Sequence, residues 1–361
     1  MKIKDFFSRN GVWIGFFLLV IVISALTGGG FLQPRNLTNL LRQTSINGIL
    51  AAGMTLVILL GGIDLSIGSL VALAGVAVGV SQINWGWNEG LNGALFSFLL
   101  SLGVGLSAGV ITGGLVSILR IAPFVITLGM MVIARGLALI FSNGASISPM
   151  GENLAPLADA YLSIPLTGAA VAIFMAVFLY RQRRNLVNAI FPILTFCFLA
   201  YSFISYKGLP MLVVFLGLVL GAISFVLGQT TFGRSVYAIG SSERAAYWAG
   251  VPVRRVIWIV YAIMGLLAGL AGMLLTVRLN GADPNAGQLF ELDAIAAVVI
   301  GGTSLKGGVG TIMGSFIGAL TIATLNNGMD LLGVPSFYQM VFKGLIIVIA
   351  VALDRTQRQT A

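Results

Sequence analysis

The sequence predicts an all-α polytopic membrane protein, and three observations carry that expectation. Of its 361 residues 58% are hydrophobic and only 9% charged, against roughly 25% charged in an ordinary soluble domain, so the chain cannot clothe a water-exposed surface. Its apolar residues are gathered in runs of bilayer length, and the mean hydropathy is +1.02. Its 47 glycines recur at helical spacing within those runs, as close helix packing in lipid requires. At roughly 20 apolar residues per helix and about 10 per connection, the length holds on the order of twelve crossings. We read residues 1–361 as one transmembrane domain, which excludes a soluble enzyme and leaves no room for a soluble catalytic domain.

The basic N-terminus, MKIKDFFSRN, leads into an apolar run from Gly11 to about Phe31. That run is long and no small-residue cleavage site follows, so it reads as an uncleaved first helix. Further spans are expected at 45–60, 67–83, 93–118, 123–141, 165–180, 187–206, 209–228, 257–276, 293–303, 309–329 and 336–353. With both termini in the cytoplasm, the RQRR turn (Arg181, Arg183, Arg184), the loop 229–256, and Arg355 and Arg358 fall inside. The acidic loop 142–164, with Glu152 and Asp159, falls outside, in keeping with the positive-inside bias. Arg35 and Arg42 are exceptions, placed near the outer face where helix ends let them snorkel. The net charge of +9 therefore reports topology and anionic lipid, not a nucleic-acid partner.

The chemistry is limited in the same way. Histidine is absent and Cys197, in IFPILTFCFLAY, is the only cysteine, which removes a disulfide framework, a Cys/His metal site and a histidine triad. Glycines at i and i+4, in Gly105, Gly109 and Gly113, Gly217 and Gly221, Gly265 and Gly269, and Gly310, Gly314 and Gly318, are read as close helix contacts.

Two segments break the hydrophobic pattern in related ways. VILLGGIDLSIGSL (57–70) and AVVIGGTSLKGGVG (297–310) each run from apolar residues into Gly-Gly, a polar turn and another helix. Aligning Gly61-Gly62 with Gly301-Gly302 also matches Leu65 with Leu305 and Gly68 with Gly308, a weak internal repeat of the kind that marks a transporter's central pathway. It sets Asp64 opposite Ser304 and Ser66 opposite Lys306. Asp64 then reads either as a helix N-cap or as one half of an inner latch with Lys306. Asp293 reads as an N-cap, and Arg135 and Lys343 as snorkelling cations. Gln43, Asn47, Thr127, Asn326, Asn327 and Gln339 add donors and acceptors that suit a path for a neutral polyhydroxylated solute. Asn47, Asp64, Ser66, Lys306, Asn326 and Asn327 are the expected path residues.

The loop 229–256 contains SSERAAYWAG, which reads as a short helix capped by Ser241 or Ser242, with Glu243 in its first turn and Gly250 and Pro252 after its end. This segment resembles the coupling segment of ATP-binding-cassette permeases. Joined with LLGGIDLSIGS (59–69), RIAPFVITLGMMVIARGLALIFSNG (120–144), ELDAIAAVVIGGTSLKGGVGT (291–311) and LNNGMDLLGVPSFYQMVFKG (325–344), it resembles the permease subunits of bacterial monosaccharide importers of the ribose, xylose, arabinose and galactose group. The apolar hairpin 165–206 around RQRR adds two crossings to a ten-span core, a layout similar to the xylose-type permeases.

The resemblance implies a bacterial inner-membrane protein in which two permease copies enclose the path. An extracytoplasmic binding protein delivers the sugar, and separate cytoplasmic ATPases, carrying ATP and Mg, drive the switch between faces. It implies that Glu243, Arg244, Ala245, Ala246 and Gly250 contact the ATPase. The chain has no P-loop of its own, since Lys306 in SLKGG is followed by glycine, and no cofactor is expected in it. The alternatives are an ion-coupled secondary transporter, for which only Asp64 offers an ion-binding carboxylate, and a nucleoside or branched-chain amino acid permease.

Overall fold

A computed structural model describes residues 3–182 and 190–359. Arg183 and Arg184 of the RQRR turn, residues 187–189 of the expected span 187–206, and the side chains of Arg181, Arg355 and Arg358 lie outside the described residues. The helices are α1 (Ile3–Leu26), α2 (Pro34–Leu59), α3 (Ile67–Gly79), α4 (Gly90–Leu119), α5 (Pro123–Phe141), α6 (Ala155–Asp159), α7 (Ile164–Gln182), α8 (Ile190–Ile204), α9 (Met211–Gln229), α10 (Thr231–Ser241), α11 (Glu243–Trp248), α12 (Val253–Leu279), α13 (Phe290–Ile300), α14 (Ile312–Leu331) and α15 (Ser336–Gln359). The all-α expectation holds but for two short antiparallel strands. Tyr161–Leu162 pairs with Leu209–Pro210 and pinches together the two ends of the α7–α8 hairpin. Among the described residues five helical stretches, Ile67–Asn84, Gly90–Leu119, Pro123–Phe141, Met211–Gln229 and Val253–Leu279, are long and apolar enough to cross a bilayer.

Helix α2 lies at the centre, buried on almost every side from Leu37 to Leu59 and packed against α12, α13, α14, α8 and α9. It begins at Pro34, well before the expected 45, because Pro preforms the first turn and because its polar residues are satisfied by protein. Thr38 and Thr44 donate back to the Pro34 and Leu40 carbonyls, each at 2.8 Å. Asn36 and Asn327 exchange hydrogen bonds at 2.8 and 3.0 Å. Arg42 donates to the Ala158 carbonyl at 2.8 Å and meets the Asp159 carboxylate at 3.2 Å. One of the two arginines that depart from the charge bias thus has an acidic partner in the connection 142–164.

Glycine sets the closest helix approaches. A Cβ on Gly105 of α4 would lie 2.2 Å from the Gly265 carbonyl of α12, and one on Gly318 of α14 would lie 1.8 Å from the Ala297 carbonyl of α13. Gly217 and Gly221 of α9 do not follow the expectation: a Cβ on either meets nothing within 4 Å.

Helix α13 has 11 residues. At 1.5 Å per residue that is about 16 Å, roughly half a hydrocarbon core. It therefore ends inside the protein, packed on α14, and its ends are where the site is built.

Candidate functional site

A polar cavity of about 80 Å³ lies between α2, α12, α13, α14 and α15. Gln43 and Asn47 reach it from one face of α2 by their i, i+4 spacing. Phe290 and Asp293 come from the first turn of α13, Arg278 from the last turn of α12, Asn326 from α14 and Lys343 from α15. Asp293 is buried and its Oδ2 lies 3.0 Å from Lys343 Nζ. A carboxylate taken from water needs such a partner, because an unpaired buried charge is far more costly than a paired one.

The other polar groups are unspent. Asn326 is 5% exposed and its Oδ1 is buried without a hydrogen-bond partner. Among the described residues no hydrogen bond reaches the side chains of Gln43, Asn47 or Arg278. An orphaned buried carbonyl costs about 1–3 kcal/mol in a closed protein interior, so the cavity is chemically suited to water or to a hydroxylated ligand.

The sequence-based site residues distribute unequally around this geometry. Asn47 and Asn326 line the cavity. Asn327 instead turns to Asn36 and joins α14 to α2. Asp293 is not an N-cap: Leu289 occupies that position, and the aspartate sits within the helix, facing Lys343. Lys343 is a buried-pair partner rather than a snorkelling cation. Arg135 donates to the Pro284 and Ala286 carbonyls and so holds the connection before α13.

The two glycine breaks share their construction. Gly61 and Gly302 both take positive φ, 81° and 83°. The next amides close the same reversal, Gly62 N–H on the Val57 carbonyl at 3.0 Å and Thr303 N–H on the Val298 carbonyl at 3.1 Å. Gly61 is therefore the counterpart of Gly302, one residue off the sequence alignment. Further on the alignment recovers, since Asp64 Oδ1 accepts from Ser66 N–H at 2.9 Å and Ser304 Oγ accepts from Lys306 N–H at 3.1 Å.

The inner latch is not seen as an ion pair. Asp64 is 2% exposed and its Oδ1 also accepts from Ser66 Oγ at 2.6 Å, while Lys306 is exposed. Nor does Asp64 cap α3, whose cap position is Ser66. The breaks meet through backbone instead, with Gly308 N–H on the Leu59 carbonyl at 2.9 Å.

The same junction receives the segment 229–256. The loop 229–256 holds two helices, and α10 was not expected. Thr230 caps it by accepting from Gly233 N–H at 3.1 Å, and Ser242 caps α11 by accepting from Ala245 N–H at 3.3 Å. Gly250, with φ 82°, follows the end of helix α11. Glu243, Arg244, Ala245 and Gly250 are exposed, as are Tyr247 and Trp248, and Ala246 is buried against the body. Helix α10 is fastened to the second break at two points. Tyr237 donates to the Gly310 carbonyl at 2.9 Å, and Gly240 sits so close that a Cβ would lie 1.7 Å from the Leu59 carbonyl and 2.4 Å from Gly308 N. Burial pushes the Tyr237 phenol above its ordinary value, so it stays a donor through neutral pH.

Sequence reasoning missed Arg278, Phe290 and the Gly240 junction. Arg278 stands in the last turn of an apolar helix, where a cation reads as interfacial, and nothing in a glycine's spacing reveals a contact with a break nearly 70 residues away.

The family profile described as the permease component of the branched-chain amino acid transport system matches residues 36–351. The chain belongs to this permease family. Among its relatives, the ribose import permease protein of Bacillus subtilis is 41% identical over 348 residues, covering 96% of this chain and 93% of the relative. The xylose transport system permease protein of Haemophilus influenzae is 36% identical over 359 residues, covering 95% and 94%. The ribose import permease protein of Escherichia coli K12 is 38% identical over 349 residues, covering 96% and 93%. No solved structure matches the permease.

Proposed function

We propose that this permease is the transmembrane subunit of an ATP-binding-cassette importer that carries a monosaccharide into the bacterial cytoplasm. The observation that carries the reading is kinship with ribose and xylose permeases over nearly the whole chain. The polar cavity and the exposed α11 are what such a subunit needs: a hydroxyl-compatible interior and a docking surface for a separate ATPase that holds ATP and Mg. The gradient-driven alternative draws no support from these relatives, and the relatives named are sugar permeases although the family profile is described by amino acid transport.

In this reading the chain crosses the inner membrane about twelve times with both termini inside, the α7–α8 hairpin adding two crossings to a ten-span core. Two copies pair around the path, and an extracytoplasmic binding protein delivers the sugar to them. Glu243, Arg244, Ala245, Ala246 and Gly250 engage the ATPase. Asn47 and Asn326 line the path, Asn327 braces its wall through Asn36, and Asp64, Ser66 and Lys306 lie at its inner end where the breaks meet. Helix α10 carries the displacement of α11 to both breaks at once, because Gly240 wedges between the end of α2 and the loop before α14.

Co-expression with a candidate ATPase tests this. The expected result is a complex that co-purifies and hydrolyses ATP faster when sugar-loaded binding protein is added. A permease that assembles with no ATPase and accumulates sugar on a proton or sodium gradient alone contradicts it.

A further inference from the structure

Helices α4 and α12 run antiparallel and meet through glycine, since Gly105 faces Gly265 and Gly113 faces Trp258. A Cβ on Gly109 would lie 2.4 Å from the Tyr261 carbonyl and one on Gly113 2.7 Å from the Trp258 carbonyl, so the two backbones nearly touch. Beside this seam lies a groove of about 140 Å³, lined by Leu106 and Val110 of α4 and by Trp258, Ile259, Ala262 and Leu266 of α12. Trp258 carries the one polar atom among these side chains, and its Nε1–H is spent on the Val110 carbonyl at 2.9 Å. Three arginines stand at one end of the groove. Arg255 precedes Ile259, Ala262 and Leu266 by four, seven and eleven residues, which sets it on the same face of α12. Arg254 stands one turn before Trp258. Arg120 lies two turns beyond Gly113 and closes α4 with φ 54°. At 1.5 Å per residue, Arg120 and Arg254 lie about 10 Å and about 6 Å past the Gly113 contact with Trp258, in the same direction. All three arginines are exposed, and among the described residues none of them forms an ion pair.

From this arrangement we infer that the α4–α12 groove binds one anionic glycerophospholipid, its phosphate held by Arg120, Arg254 and Arg255 and an acyl chain lying along Leu106, Val110, Ala262 and Leu266. Charge complementarity selects this occupant. Guanidinium forks pair bidentately with phosphate, and basic side chains at the end of a span attract anionic headgroups. A zwitterionic headgroup brings an ammonium of its own, which three unpaired arginines repel. A second copy of the chain, related by a twofold axis along the membrane normal, would set arginines against arginines, and like charges across an interface are costly. Side chains on α12 lean towards its N-terminus, so Arg254 and Arg255 extend past the apolar turns to headgroup depth, as snorkelling requires. Four residues separate α11 from α12, so the lipid would brace the base of the helix into which α11 leads. The inference needs only that the chain spans a bilayer; neither the sugar nor the ATPase enters it.

Trp258 reports on the groove. The whole permease is placed in phosphatidylcholine nanodiscs, and phosphatidylglycerol or phosphatidylcholine with brominated chains is titrated in. The emission that Trp258→Phe removes isolates this ring from the other tryptophans. Quenching of Trp258 is expected to saturate with phosphatidylglycerol, at a half-point about tenfold or more below that for phosphatidylcholine. Arg120→Gln, Arg254→Gln and Arg255→Gln, all exposed and so tolerated by the fold, are each expected to raise the phosphatidylglycerol half-point about fivefold, the worth of one arginine near an anionic headgroup. The triple variant is expected to lose the preference. Ala262→Leu narrows the groove and is expected to raise both half-points without changing their ratio. Lys207→Gln, an exposed cation at the foot of the α7–α8 hairpin, is expected to match wild type. Equal half-points for the two lipids, a preference indifferent to the three arginines, or one lost equally in Lys207→Gln overturns the inference. Displacement of the lipid by inorganic phosphate at constant ionic strength also overturns it, since that marks a plain anion site. So does a Trp258 that no brominated lipid quenches while Ala262→Leu converts dimers to monomers, since a second copy then fills the groove.

Discussion

Replacing Gly240 by alanine tests the junction that joins α10 to the two breaks, through which the proposed coupling passes. The added Cβ would lie 1.7 Å from the Leu59 carbonyl and 2.4 Å from Gly308 N, where ordinary contact begins at 3.4 Å. Both atoms are backbone, so no side chain can swing away. The last turn of α10 must withdraw by more than about 1 Å, and the bond from Gly308 N–H to the Leu59 carbonyl, 2.9 Å long, lies in the crevice being forced open. Overpacking costs about 1–3 kcal/mol and the strained hydrogen bond about 1 kcal/mol more. A local penalty of about 2–4 kcal/mol, confined to the joint, is expected to leave the helical body assembled and to loosen α10 from the breaks. In proteoliposomes with the ATPase and loaded binding protein, Gly240→Ala is expected to hydrolyse ATP while uptake falls about tenfold or more, the effect of 1.4 kcal/mol at the coupled step. Gly217→Ala is the control, since a Cβ there meets nothing. Wild-type uptake per ATP in Gly240→Ala would refute the claim that displacement passes through this joint.

Further outcomes follow from other contacts. Glu243→Lys and Arg244→Glu, both on the exposed face of α11, are expected to weaken co-purification of the ATPase and to uncouple hydrolysis from uptake without lowering the melting temperature. Asp293→Asn or Lys343→Gln leaves one charge of a buried pair alone, and thermal unfolding is expected to show a loss towards the lower end of about 3–5 kcal/mol, because Lys343 keeps some access to solvent. A double-mutant cycle on Asn36→Leu and Asn327→Leu is expected to give a coupling of about 0.6–2 kcal/mol, the range for interhelical hydrogen bonds in membranes. A coupling of zero there would mean that the reciprocal bonds at 2.8 and 3.0 Å hold nothing together.

Much of the architecture was legible because lipid imposes a simple rule: apolar runs of the right length become helices. The span 123–141 is reproduced to the residue, with Pro123 at its first turn and Asn143 and Gly144 after its end. Helix α2 begins before the expected span at 45 because Arg35, Asn36, Arg42 and Gln43 break the apolar run that marks a span, whereas partners distant in sequence satisfy Asn36 and Arg42 within the helix. Helix α10 was missed because Gly233 and Gly240 argue against a helix, and Gly240 is there for contact, not for chain flexibility. In the site, Asn47 and Asn326 stood out as amides inside apolar runs. The pairing of Asp293 with Lys343, and of Asn36 with Asn327, has no periodicity to betray it, and the repeat suggested the meeting of the two breaks while misjudging its chemistry: the contact is backbone to backbone, with Asp64 turned onto Ser66.

The proposed function has ATP hydrolysed by a separate subunit driving a monosaccharide through this chain. It is tested most directly by sugar accumulation in proteoliposomes containing the permease, binding protein and either active or hydrolysis-dead ATPase, with ionophores present to collapse ion gradients. The expected result is accumulation of labelled ribose or xylose with the active ATPase and none with the dead one. Accumulation that survives the dead ATPase and vanishes with the ionophores would contradict the account.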